Sequence, residues 1–106
     1  MNLIDKYQKE LNQACIRFKV AELYVFGSIL TEKFNQESDI DFIVSIDSKD
    51  PIEYGENYFQ LKFELERLFN RKIDLLEQKA IRNEVFKELI NQKKLLVYAR
   101  RTQSVA

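Results

Sequence analysis

Histidine is absent from this chain, and cysteine, proline and glycine are nearly so: there are one Cys, one Pro and two Gly among 106 residues. Without His there is no Ser-His-Asp triad, no Cys-His dyad and no zinc site with imidazole ligands. A single Cys forms no intramolecular disulfide, which suits a reducing compartment, so a cytoplasmic location is expected. No apolar run approaches the roughly 18 residues of a membrane-spanning helix. The N-terminal MNLIDKYQKELNQ is amphipathic and carries acids, so neither a membrane span nor a signal or transit peptide is expected. Net charge is missing too, because 17 basic and 17 acidic residues cancel. Duplex DNA is bound mainly by neutralising phosphates, so nucleic acid is not expected as the main partner.

What is present reads as globular: 45% hydrophobic, 12% aromatic and 32% charged residues. One domain over residues 1–106 is expected, large enough to hide roughly two-thirds of its surface on folding. Its charge is segregated. Residues 1–70 hold 8 basic and 13 acidic side chains, and residues 71–106 hold 9 and 4. Solvated helix and loop faces account for most of these charges, but not for acids inside strands.

Apolar residues Leu3, Ile4, Tyr7, Leu11, Ala14, Cys15 and Phe18 recur at helical spacing, so an N-terminal helix over 3–19 is expected. Cys15 falls on that stripe and is assigned to the core. ELYVF (22–26) is rich in β-formers and stops at Gly27, which predicts a buried strand. A turn, starting near Ser28, and a polar loop follow. In 38–46, Ile40, Phe42, Val44 and Ile46 alternate with Asp39, Asp41, Ile43 and Ser45, a strand with one apolar face. Pro51 is a favoured first helical position, and Tyr54, Tyr58, Leu61, Leu65, Leu68 and Phe69 mark a helix to about 69. RKIDLLE (71–77) predicts a short strand. Ile81, Val85, Phe86, Leu89 and Ile90 are helical again, and LLVY (95–98) either ends that helix or adds an edge strand. Residues 100–106 form a tail. The order gives an α/β (α+β) fold: a small mixed sheet, with helices mainly on one face and the other face open around Asp39 and Asp41. The catalytic core is expected over 20–99.

The carboxylates carry the chemistry. On one strand, Asp39 and Asp41 point to the same face with Cα atoms about 6.5–7 Å apart, where two unit charges repel by roughly 2 kcal/mol at an effective dielectric near 20. Asp74 sits in the apolar strand Ile73-Asp74-Leu75-Leu76, and Asp is depleted in strands. A divalent cation offsets such crowding, and oxygen ligands imply Mg²⁺ or Mn²⁺. Two such ions can clamp the attacking and leaving oxygens of a phosphoryl displacement. Asp39 and Asp41 would anchor them. Asp74 would complete the set and take the proton of an attacking hydroxyl. Gly27 lets the backbone approach a phosphate, Ser28 offers a hydroxyl, and the start of a helical turn favours anions. Ser28 also suits a helix N-cap, and the two readings are compatible.

Gly27-Ser28, ten intervening residues and Asp39-Ile40-Asp41 resemble the GS-x10-D-x-D signature of the polymerase-β-like nucleotidyltransferases. VFGS…SDIDFIV resembles the minimal nucleotidyltransferase (MNT) group in particular, and KIDLLE and the closing helix with VYA fit it. The resemblance spans residues 20–99. It implies transfer of a nucleoside monophosphate, AMP from ATP in the first instance, to a hydroxyl, with release of pyrophosphate. It assigns Gly27 and Ser28 to the triphosphate, Asp39 and Asp41 to two Mg²⁺ ions, and Asp74 to the third ligand and base. It further implies a HEPN-family toxin as partner, modified on a tyrosine, with this chain as antitoxin. Many relatives read GS-x-A-R-G. Here Thr31 stands at the Arg position and Glu32 at the second Gly, and Lys33 could supply a positive charge instead.

Two other functions fit the same residues. One is a non-catalytic module that neutralises its partner by contact. The other is a small-molecule nucleotidyltransferase of the aminoglycoside type, for which the chain leaves little room for an acceptor domain. A small open sheet also suggests homo- or hetero-oligomerisation.

Overall fold

The structure, a computed structural model, describes residues 2–100. Two short helices, α1 (Asn2–Lys6) and α2 (Gln8–Arg17), lead into β1 (Val20–Phe26) and a 3₁₀ turn, Gly27–Leu30. Then follow β2 (Ile40–Ile46), α3 (Pro51–Phe69), β3 (Ile73–Glu77), a second 3₁₀ turn (Gln78–Ala80), α4 (Glu84–Lys93) and β4 (Leu95–Ala99). The four strands form one sheet in the order β3-β2-β1-β4. Only β2 and β3 run parallel, joined across α3; the other pairings are antiparallel. The sheet is therefore mixed, as the sequence predicts.

Alternation along β2 sets the layers. Ile40, Phe42, Val44 and Ile46 face the main core with Leu23, Val25, Ile73, Leu75 and Val97. Leu11, Ala14, Cys15, Leu61, Leu65 and Phe69 of α2 and α3 close that core from the same side. Helix α3 begins where the sequence places it. Pro51 occupies the first turn, and the Asp50 carboxylate accepts from the Ile52 N–H at 3.0 Å, a cap worth about 1 kcal/mol. It ends at Asn70, which takes a left-handed conformation (φ 51) that Asn tolerates better than most residues.

Two expectations are corrected. The N-terminal helix is not continuous over 3–19: it breaks at Tyr7, whose ring meets Phe69 edge-on at 5.5 Å, and it stops at Arg17. The face carrying Asp41 is not wholly open. Ile43 is fully buried there, and Ile90 of α4 is buried outside the main core. Lys94 lies over the Tyr24 ring, and Phe26, Phe86, Leu89 and Ile90 line one hollow, so α4 covers part of this second face. Of the two readings open for LLVY, the edge strand β4 is the one that forms, tied to α2 by the Gln8 side-chain amide, which donates to the Val97 carbonyl at 2.9 Å. Of the tail expected over 100–106, residues 101–106 lie outside the described residues. The Arg100 N–H donates to the Ala21 carbonyl.

Candidate active site

The parallel register of β2 and β3 sets Asp41 directly opposite Asp74. Paired residues share a face, so the two carboxylates stand side by side across neighbouring strands, about 4.8 Å apart in the backbone. Asp39 lies two residues earlier, just before β2 begins rather than on it, and is exposed. Its carboxylate is 3.9 Å from the Lys72 ammonium, itself exposed. Partial burial raises the Asp41 pKa above its ordinary value. The charges of Asp74 and then Asp39 push it further the same way. Among the described residues, neither Asp41 nor Asp74 has a cationic partner.

On its other side Asp41 pairs with Phe26, the last residue of β1. The chain then turns at Gly27, whose φ is +80. A Cβ built on Gly27 would stand 2.4 Å from Oδ2 of Asp41. Glycine is thus required twice, by the backbone angle and by the carboxylate lying against it. The Gly-Ser turn therefore lies against Asp41. Ser28 lies in the 3₁₀ turn, and its carbonyl accepts from both the N–H and the hydroxyl of Thr31. It is not an N-cap: Phe26 occupies that position, with no side-chain cap bond.

A hollow of about 480 Å³ opens beside this turn, lined by Gly27, Leu30, Thr31 and Lys93. A second of about 170 Å³ shares Gly27 and Lys93 and is walled by Phe26, Phe86, Leu89 and Ile90. Apolar walls with one cation are the usual lining of a small-molecule site. Lys33 does not line either hollow. It is exposed in the loop, with its N–H on the Thr31 hydroxyl. Sequence reasoning missed Lys93, because its place beside Gly27 comes from the way α4 crosses the sheet and no local pattern marks it.

The donor set suits a hard divalent cation, with carboxylate oxygens crowded together and left without counter-charge. Among the described residues, however, no group of three or more acidic or thiol side chains forms a ready cation cage. Mg²⁺ commonly takes one or two carboxylates, with substrate phosphates and water completing its shell. Asp41 and Asp74, with Asp39 adjacent, fit that mode of binding and could hold such an ion.

Comparison with known proteins decides the family. Residues 8–103 match the family described as "Polymerase beta, Nucleotidyltransferase". The chain belongs to this nucleotidyltransferase family. It is thus a transferase, and its family and small mixed sheet are those expected from the sequence. It is 31% identical over 90 residues to MJ1379 of Methanocaldococcus jannaschii, named there as a candidate protein adenylyltransferase, covering 85% of this chain and 86% of that one. It is 25% identical over 91 residues to the protein adenylyltransferase MntA of Thermococcus cleftensis, covering 86% of each. In fold it resembles a chain from the structure of a tri-AMPylated Shewanella oneidensis HEPN toxin in complex with MNT antitoxin. The TM-score is 0.53 at 19% identity, covering 88% of this chain and 73% of that one. Among the described residues no helix is long and apolar enough to cross a membrane.

Proposed function

We propose that this nucleotidyltransferase moves AMP from ATP to a hydroxyl of a protein, a tyrosine of a HEPN-family toxin, and so acts as its antitoxin. The names of its relatives support AMP, a protein acceptor and such a partner. The observation that carries the chemistry is the contact between Gly27 and Asp41, with Asp74 in register beside it. It sets the side-chain-free backbone of the Gly27 turn directly against a pair of carboxylates.

In this reading Asp39 and Asp41 hold the divalent cations, Mg²⁺ or Mn²⁺, and Asp74 is the third ligand. Such ions, when bound, neutralise the phosphate oxygens and polarise the phosphorus. Gly27 and Ser28 hold the β- and γ-phosphates, with Lys93 or Lys33 as the flanking cation. The acceptor oxygen forms its bond to the α-phosphorus, the bond from that phosphorus to the bridging oxygen breaks, and pyrophosphate leaves. Asp74, the more exposed of the paired carboxylates, takes the proton of the attacking hydroxyl. The repulsion built into the site favours a state in which substrate and cations arrive together.

The test uses the purified chain, α-labelled ATP, Mg²⁺ and a purified HEPN-family toxin. Label on a tyrosine of that partner, lost with Asp41→Asn, supports the proposal. Partner binding without label points to neutralisation by contact alone, and label on a small molecule points to an aminoglycoside-type acceptor.

A further inference from the structure

Two of the three aspartates are fixed by the sheet. Asp41 and Asp74 face one another in the β2–β3 ladder. Asp39 has no such support, since it ends an irregular connection that runs from Thr31 to Asp39. Beyond the Lys72 ammonium at 3.9 Å and the pairing of its neighbour Ile40 with β3, its placement depends on what holds the connection that precedes it.

Arg71 lies where that support is needed. It follows the left-handed Asn70 at the end of α3 and precedes β3. Its Nη1 donates to two main-chain carbonyls of the connection, Asn35 at 3.0 Å and Ser38 at 2.9 Å. Its guanidinium carbon is 4.7 Å from the centre of the Phe34 ring, and Phe34 packs against the main core. The segment it grips is compact. The Ser38 N–H donates to the Asn35 carbonyl at 3.1 Å, the Asn35 N–H to the Ser38 hydroxyl at 3.0 Å, and the Glu37 N–H to the Asn35 side chain at 2.8 Å. On the far side of Asp39, the Ile40 N–H donates to the Lys72 carbonyl at 3.2 Å. Asp39 is therefore clamped on both sides by consecutive residues, 71 and 72. An arginine serving only solubility would keep its whole head in water. Here Nε is buried without a hydrogen-bond partner, a cost that the carbonyl bonds and the ring contact must offset.

We propose that Arg71 is a positioning residue, holding the 31–39 connection so that the Asp39 carboxylate is delivered beside Asp41 and Asp74. This rests on the reading of Asp39 as a cation ligand. A lysine cannot reproduce it, because one ammonium on a flexible stem lacks the planar fork that meets two carbonyls while lying over a ring.

The test needs no nucleotide or partner. Mn²⁺ binding to the wild type, Arg71→Ala, Arg71→Lys, Asp39→Asn and the double variant Asp39→Asn/Arg71→Ala is read from the free-ion paramagnetic resonance signal. Amide exchange is followed in the same samples. Arg71→Ala should weaken Mn²⁺ about tenfold, at the lower end for residues that orient a metal ligand, and Arg71→Lys should weaken it less. In the Asp39→Asn background the Arg71 substitution should cost nothing more, because its effect runs through Asp39. Exchange at Glu37 and Ser38 should rise while Phe42 and Val44 in the ladder stay protected. If Arg71→Ala does not fold, the same cycle is run with Arg71→Lys. An equal further loss in the Asp39→Asn background overturns the proposal, since Arg71 would then support the site through folding at large. Mn²⁺ binding that depends on Asp39 but ignores both Arg71 variants overturns the positioning role alone. Binding indifferent to Asp39 overturns the ligand reading and this inference with it.

Discussion

Strand β2 has acids at both ends, and the two ends treat them differently. Just past its C-terminal end, Asp47 pairs with the Arg100 guanidinium. Nearby, Glu53 takes the Lys19 ammonium at 2.8 Å and the Ser48 hydroxyl at 2.8 Å. Both of these carboxylates have a cationic partner from the chain. At the N-terminal end, Asp41 and Asp74 face each other, and among the described residues neither pairs with a cation, while Asp39 has a loose contact to Lys72. Matched pairs on the surface are a structural habit worth little. Unmatched carboxylates packed together cost stability, and such groups collect where a ligand supplies the missing charge. The lesson is to read which acids lack a partner rather than how many there are.

Removing charge at the unmatched end should show the largest effect. Asp41→Asn should lower AMP transfer by on the order of 10³-fold, the several kcal/mol of charge stabilisation a bound metal supplies. It should also raise the thermal midpoint in chelator. The sign follows from linkage. The folded Asp41 carboxyl has a raised pKa, so between its unfolded and folded values the folded chain holds more protons. Stability therefore falls as pH rises through that window and stays lower above it, and the asparagine removes the loss. Mg²⁺ should raise the midpoint of the wild type and not that of the variant. A lowered midpoint in chelator would break the comparison.

Gly27→Ala comes next. It must hold φ at +80 and push its methyl into the Asp41 carboxylate, costing about 1–2 kcal/mol of stability for the backbone alone. Denaturant unfolding measures that part, and transfer should fall well beyond what unfolding explains. Lys93→Ala sharpens the site's outline: KM for ATP should rise about tenfold, one charge-assisted contact at 1.4 kcal/mol, while Lys33→Ala moves it less than about twofold. The reverse order would return the phosphate contact to the loop. Smallest is Asp47→Asn at the matched end, expected to change stability by less than about 1 kcal/mol and transfer not at all.

Much of this was legible because it is local. Period-two alternation fixes the faces of β2, Pro51 marks the start of α3, and the apolar setting of Asp74 predicts a strand. Cys15 falls on the helical stripe and is buried, its thiol pushed up to about 12 by desolvation. What was not legible depends on neighbours distant in sequence. The break at Tyr7 follows from Phe69, sixty-two positions on by numbering. Asp39 alternates with the strand in sequence but lies outside the ladder, because Lys72 and Arg71 hold that stretch of chain. The covered second face needs α4, whose exposed Val85 and Leu89 blur its apolar stripe. Lys93 reaches Gly27 only through that helix. Local patterns thus named the aspartates, and long-range contacts decide how each is held.

The most direct test is a crystal structure of the chain with Mn²⁺ and a non-hydrolysable ATP analogue, with the metal located by its anomalous signal. The account predicts a peak bound by Asp41 together with Asp39 or Asp74, and a triphosphate lying along Gly27 and Ser28. A metal bound away from these carboxylates, or an analogue seated at the Asp47–Arg100 end, would contradict it.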